Sequence, residues 1–177
     1  MLASYGATRL GRQELDGELI DEVAGALWPR ATIEACRGRK PKDVVRVVVG
    51  VDPPASAEGD ACGIVAVALD AADIGHVIAD ASVKGLSPEG WARAVAKCAA
   101  KHGADKVVAA KNRGGDMVRS VLRAADVQLP LKLVHASHGK VARAEPVAAL
   151  YEAGRVKHAG RFPALEDELC GLSMGGG

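Results

Sequence analysis

Aromatic side chains are scarce in this 177-residue chain, with two Trp, two Tyr and one Phe, 3% of the total. A core must therefore be assembled from Val, Leu, Ile and Ala. No C-x-x-C pair occurs among Cys36, Cys62, Cys98 and Cys170, which leaves a thiolate zinc site without support. Cys62 and Cys98 lie in apolar runs and read as small buried hydrophobes of a reducing compartment. No G-K-[ST] triplet is present, which excludes a Walker A loop and ATP hydrolysis by one. No apolar run reaches the roughly 18 residues that span a bilayer, and MLASYGATRL lacks the apolar centre of a secretory signal. No membrane partner is expected. A charge excess is missing too, the formal net being +1. With 49% hydrophobic and 25% charged residues, the chain has the balance of one globular domain and not of a disordered one.

What is present begins with a change of texture near residue 43. Residues 1–43 are rich in charge and turn formers, with one amphipathic stretch, Glu14 to Leu27, in which Leu15, Leu19, Val23 and Leu27 recur every four residues. Trp28-Pro29 is expected to close that helix, and RGRKPK (37–42) reads as a basic linker. Then DVVRVVVGVD (43–52) is Val-dense and short, the pattern of a central strand covered on both faces. Two prolines at 53 and 54 end it. GIVAVALD (63–70) and HVIAD (76–80) give two further strands joined by a tight turn, an antiparallel meander.

Ser87, Pro88 and Glu89 form a strong helix start, and Trp91, Val95, Cys98 and Ala99 its buried stripe, with Gly103 at the end. DKVVAA (105–110) is the fourth strand, expected beside the first. A helix over Met117–Ala125 follows Gly114-Gly115, and Leu131–His135 is the fifth strand. The last clear helix is expected over Arg143–Ala153, with Pro146 in its first turn, and Phe162–Leu169 reads as a further short helix. The order β-β-β-α-β-α-β-α predicts an α/β fold, a mixed sheet with helices on its faces, and is the element order of the ribonuclease H-like fold. Order by itself says little about function.

Asp52 is the most informative residue, a carboxylate at the C-terminal end of an all-Val strand, where α/β sheets place their sites. The plainer reading is a turn residue before proline. A metal-dependent nuclease needs a second carboxylate on the neighbouring strand end, because hard divalent ions take several oxygen ligands. Ala109-Ala110-Lys111-Asn112 stands there instead. Asn112-Arg113-Gly114-Gly115 permits a backbone approach to phosphate at a helix start, or is an ordinary strand-to-helix turn. HASHGKVAR (135–143) is a basic loop that can hold a polyanion, or simply a solvated loop. Nothing assigns an orienting acid to Ser137 and its neighbouring histidines.

The net charge conceals a separation. Between Val47 and Val83 lie Asp52, Glu58, Asp60, Asp70, Asp73 and Asp80 with no Lys or Arg. Between Leu131 and Phe162 lie Lys132, Lys140, Arg143, Arg155, Lys157 and Arg161 against Glu145 and Glu152. An acidic region that gathers cations and a basic one that holds phosphates are expected to form two patches suited to phosphodiester cleavage.

Several stretches, in order, resemble the C-terminal nuclease domain of the large terminase subunit of tailed phages and gene transfer agents. They are YGATRLGRQELDGEL (5–19), VVVGVDPPAS (47–56), GLSPEGWA (85–92), VVAAKNRGGDMV (107–118), HASHGKVARAEPVAALYEAGRVKH (135–158) and FPALEDELC (162–170). The resemblance covers nearly the whole chain. It implies an endonuclease that cuts concatemeric double-stranded DNA during packaging, with two Mg²⁺ or Mn²⁺ ions. It also implies a packaging ATPase domain ahead of this one, a small terminase subunit and a portal as partners, and work in the host cytoplasm, transiently at the procapsid. Residues 1–43 then read as the arm from that ATPase and 44–177 as the nuclease domain, Met1 marking a truncated start.

Carried over residue by residue, Asp52 is the metal ligand, Asn112, Arg113 and Gly114 flank the site, and Lys140 and Arg143 are phosphate contacts. Two departures stand out. Relatives carry an acid where this chain has Ala110, and they continue into a final helix bearing a third acid, which is expected to be absent here. Asp167 and Glu166 are the available substitutes, though they match packing and capping positions. The expectation is weak ion binding and poor cutting. A non-catalytic DNA-binding or motor-docking module, and another ribonuclease H-like enzyme such as a junction resolvase, remain as alternatives.

Overall fold

The computed structural model describes residues 24–56, 60–111 and 114–175. Strand β1 (Val44–Asp52) runs between β2 (Ala61–Asp70), its antiparallel partner, and β5 (Lys106–Ala110), its parallel one. β3 (Gly75–Asp80) completes the meander, β6 (Leu131–Val134) lies parallel beside β5, and β7 (Val156–His158) lies parallel beside β3. The sheet order is β6-β5-β1-β2-β3-β7, with β4 (Val83–Lys84) pairing with β2. The predicted strands are all there. β4 and β7, of two and three residues, are too short to show any periodicity in sequence.

Among the described residues, five helices lie against this sheet: α1 (Arg30–Ala35), α2 (Pro88–His102), α3 (Gly115–Ala125), α4 (Lys140–Glu152) and α5 (Pro163–Gly171). The start of α2 forms as its sequence dictates. The Ser87 hydroxyl accepts the Gly90 N–H at 3.2 Å, Pro88 has no N–H to satisfy, and Gly103 closes the helix at φ 60. α2 and α3 cover one face, where Trp91, Val95 and Leu122 pack on Val49, Val51, Ile64 and Val107. On the other face, Tyr151 of α4 and Cys170 of α5 join Trp28, Ile33 and Cys36 over Val77, with Val65 and Val67 at the margin.

Three local expectations are corrected. Trp28-Pro29 does not close a helix. Residues 24–27 form a turn and a bridge from Ala26 to Ser173, and Pro29 precedes α1 at φ −57, a value suited to a helix entrance. The rest of the amphipathic stretch lies outside the described residues. The last predicted helix begins three residues earlier, at Lys140, which puts Pro146 in its second turn. Pro146 and Ala142, the residue whose carbonyl it leaves without a donor, are both exposed, so the lost bond falls on the wet side. Finally, among the described residues β1 is covered on one face only. Val47, Val49 and Val51 are buried, whereas Val48 is half-buried and Gly50 exposed. Among the described residues, the second helical layer sits over β2, β3 and β7 and leaves β1, β5 and β6 uncovered on that face.

That second layer is tied by polar groups. The Arg37 guanidinium donates to both oxygens of Glu166, at 2.6 and 2.7 Å, and to the Gly160 carbonyl. Glu166 also accepts from His158 Nδ1 at 2.8 Å, and His158 Nε2 meets the Tyr151 hydroxyl at 2.7 Å. His158 is 0% and Glu166 2% exposed, so each polar atom needs its partner. Burial alone would raise the Glu166 carboxyl. The hydrogen bonds from Arg37 and His158 outweigh it and hold the group down at about 2.

A depressed carboxyl contributes stability above its unfolded value and loses it as pH falls through the folded one. The unfolding free energy should therefore fall between pH ~4.3 and the low folded value. Glu166→Gln should flatten that limb and cost about 3 kcal/mol at neutral pH, because the buried pair loses one member. Urea titrations across this pH range measure both.

Candidate functional site

Asp52 stands at the end of β1 because Pro53 and Pro54 cannot extend the ladder. Its side chain is exposed, and its antiparallel partner across the ladder is Gly63. On the other side, Val51 pairs with Ala109 and Ala110 with Val134, so Gly63, Asp52, Ala110 and Val134 form one row along the sheet edge, about 4.8 Å apart. A Cβ at position 63 would lie 3.4 Å from the Asp52 Cβ, so the glycine leaves space beside the carboxylate. Ala110 occupies the neighbouring place on β5 with a methyl group.

The Lys111 N–H donates to the Val134 carbonyl at 2.7 Å and carries the pairing one residue past β5. A Cβ on Gly115 would lie 3.2 Å from the Lys111 Cγ, so that glycine lets the lysine stem rest on the first turn of α3. Among the described residues, Gly114 caps α3 without a side-chain hydrogen bond. Asn112 and Arg113 lie outside the described residues. Lys140 and Arg143 occupy the first turn of α4, both exposed, and Arg143 Nε donates to the His138 carbonyl at 3.0 Å. Ser137 Oγ meets His138 Nδ1 at 3.0 Å on the open surface.

Asp167 and Glu166 are placed elsewhere. Arg30 Nη2 donates to Asp167 at 2.7 Å, and Glu166 belongs to the Arg37–His158 tie against β7. β7 is three strands from β1, about 14 Å at ordinary spacing. Hard divalent ions take six or so oxygen ligands. The row at the edge offers one carboxylate, and among the described residues no group of three His, Cys, Asp or Glu is placed to hold a metal ion. This donor set does not fit two ions.

The charge separation of the sequence is also redistributed. β2 runs against β1, so Val44 pairs with Asp70, and the hairpin bearing Asp70 and Asp73 lies at the opposite pole from Asp52. Arg155, from the basic stretch, reaches that same pole and donates to the Asp73 carbonyl at 2.9 Å. Asp70 is bound by His76 Nε2 at 2.8 Å and by two backbone N–H groups. Neither expected patch is continuous. The tie formed by Arg37, Tyr151, His158 and Glu166 was not legible, since Arg37 and Glu166 are 129 positions apart and no local pattern links them.

A family model described as the terminase RNaseH-like domain matches residues 49–174. No curated protein matches. Among solved structures, the large terminase nuclease of thermophilic phage G20c with bound zinc is 16% identical at TM-score 0.61, over 81% of this chain and 87% of that one. The bacteriophage HK97 large terminase is 16% identical at TM-score 0.61, over 80% of this chain and 35% of that one. The large terminase of another thermophilic bacteriophage is 9% identical at TM-score 0.62, over 82% of this chain and 36% of that one. The chain thus spans about a third of the length of these last two large terminases. The likeness is one of fold, and the mixed seven-stranded sheet flanked by helices is ribonuclease H-like, as the element order predicts. No helix of the described residues is long and apolar enough to cross a membrane.

Cys62 reports on this edge. Burial first, and then the Asp52 charge, push its thiol up to about 12. The other three cysteines are buried as well. Native protein at pH 8 should therefore react negligibly with a thiol reagent, and all four cysteines should titrate once it is unfolded. Absorbance-monitored thiol titration with and without denaturant reads this directly.

Proposed function

The chain belongs to the terminase RNaseH-like domain family, and from that premise we propose that it is the nuclease portion of a DNA-packaging protein, with a cutting site weakened at its second acid. One observation carries the reading. The exposed Asp52 closes the central strand at the sheet edge, and the strand end beside it, where the resemblance implies an acid, holds Ala110. In this reading residues 1–43 form the arm from a packaging ATPase domain and 44–177 the nuclease domain. The small terminase subunit, the portal and concatemeric double-stranded DNA are its partners, in the host cytoplasm and at the procapsid.

The chemistry assigned to its own residues is limited. Asp52 supplies one anionic oxygen pair at the edge, able to hold a single Mg²⁺ or Mn²⁺ loosely with water completing the shell. Lys140 and Arg143, with the first turn of α3, bind and orient phosphates. By the resemblance, Asn112 and Arg113 are further DNA contacts. Because the donor set fits one ion at most, binding and orientation of DNA are what these residues do best. Ala110 thus also favours a second reading, a non-catalytic DNA-binding or motor-docking module.

Calorimetry with Mn²⁺ and plasmid nicking separate the two. The chain should bind Mn²⁺ weakly and nick slowly, and Asp52→Ala should remove both properties. Ala110→Glu should raise nicking by about tenfold or more, the effect of roughly 1.4 kcal/mol of barrier. Vigorous nicking that survives Asp52→Ala places the site elsewhere. Salt-dependent DNA binding with no cleavage after Ala110→Glu favours the non-catalytic reading.

A further inference from the structure

The face of β1, β5 and β6 turned away from α2 and α3 carries a row of cations. Val47, Val49 and Val51 point into the core, so Arg46 points to the open face by strand alternation, as do Lys106 beside the buried Val107 and Lys132 between Leu131 and Leu133. Val48 pairs with Lys106 and Val108 with Lys132. Each cation is therefore one strand over and two residues along from the last, a step of about 8 Å. Arg46 and Lys132 are exposed and Lys106 half-buried.

No ion pair among the described residues involves any of the three. Asp105, next to Lys106 in sequence, is occupied with the Val47 N–H at 2.8 Å. On these three strands the one carboxylate of this face is Asp52, at the edge. Gly50 lies between the row and that edge, exposed, and a Cβ there would meet nothing closer than 3.9 Å. Packing within the protein does not require a glycine at this place. Its effect is to keep the face flat enough for a backbone to approach.

We propose that the diagonal Arg46–Lys106–Lys132 is a phosphate track that holds one strand of a DNA duplex and leads it to the edge bearing Asp52. Past Lys132 the chain continues through a loop into the first turn of α4, which carries the exposed Lys140 and Arg143. Spaced single cations on a flat face recognise a regular polyanion without reading its sequence. An acidic protein surface is the competing occupant, and the track's regular step favours the duplex. This inference rests on the nuclease reading above but concerns the path of DNA and not the cutting.

Fluorescence anisotropy with a labelled duplex in EDTA, across a salt series, tests it without any cleavage. In the triple variant Arg46→Ala, Lys106→Ala, Lys132→Ala, the slope of log affinity against log salt should shrink by about 2 to 3, the share of three phosphate contacts. The charge-keeping set Arg46→Lys, Lys106→Arg, Lys132→Arg should retain the slope, and thermal melts check that both sets fold. A parent that binds duplex while the alanine set keeps its full slope overturns the track alone. A parent that binds no duplex overturns the track and the nuclease reading together. Loss of self-association or of an acidic protein partner, with duplex binding intact, assigns the face to that occupant and overturns the track.

Discussion

The pairing of β1 between antiparallel β2 and parallel β5 governs everything near the candidate site. Because Val51 meets Ala109 on one side and Asp52 meets Gly63 on the other, the carboxylate has a methyl group and a bare α-carbon as its flanks. A slip of one residue would turn Asp52 toward the helices and bury it near Ile64 and Trp91. The buried valines of β1 prevent that slip, since they would have to face solvent. The apolar face of the strand thus fixes the position of its one acid.

Strand direction also decides how charge is distributed. A chain that reverses at every hairpin sends alternate parts of an acidic run to opposite poles, which is why Asp70 and Asp73 end far from Asp52 and beside Arg155. The near-neutral net charge is therefore a sum over mixed poles and not over two opposed patches. In the proposed track, guidance of a polyanion falls instead to the uncovered face of the sheet, where the parallel strands β1, β5 and β6 each contribute one cation.

Arg37 and Glu166 close the other half of the molecule. Their bidentate contact, extended through His158 to Tyr151, joins the segment after α1, the end of β7, α4 and α5 around one buried carboxylate. Such a group is costly to bury and so admits few alternative packings. It also withdraws Glu166 from any role at the sheet edge, as Arg30 engages Asp167. Glu166 and Asp167 thus both serve the second helical layer.

The sequence by itself determined the elements whose signals are local. The Val-dense β1, the capped start of α2 and the hairpin between β2 and β3 are set by neighbouring residues, and so was the isolation of Asp52 beside Ala110, once parallel pairing of the first and fourth strands was inferred. Tertiary structure alone decided what depends on distant partners. The short β4 and β7 form only because an existing strand supplies hydrogen bonds. Pro29 opens a helix because Trp28 and Ile33 find a core built by α4 and α5. The open face of β1, and with it the cation row, exists because the second helical layer settled over β2, β3 and β7. A residue's propensity is written in its own chain segment, but which side of a sheet remains uncovered is a property of where every other segment comes to rest.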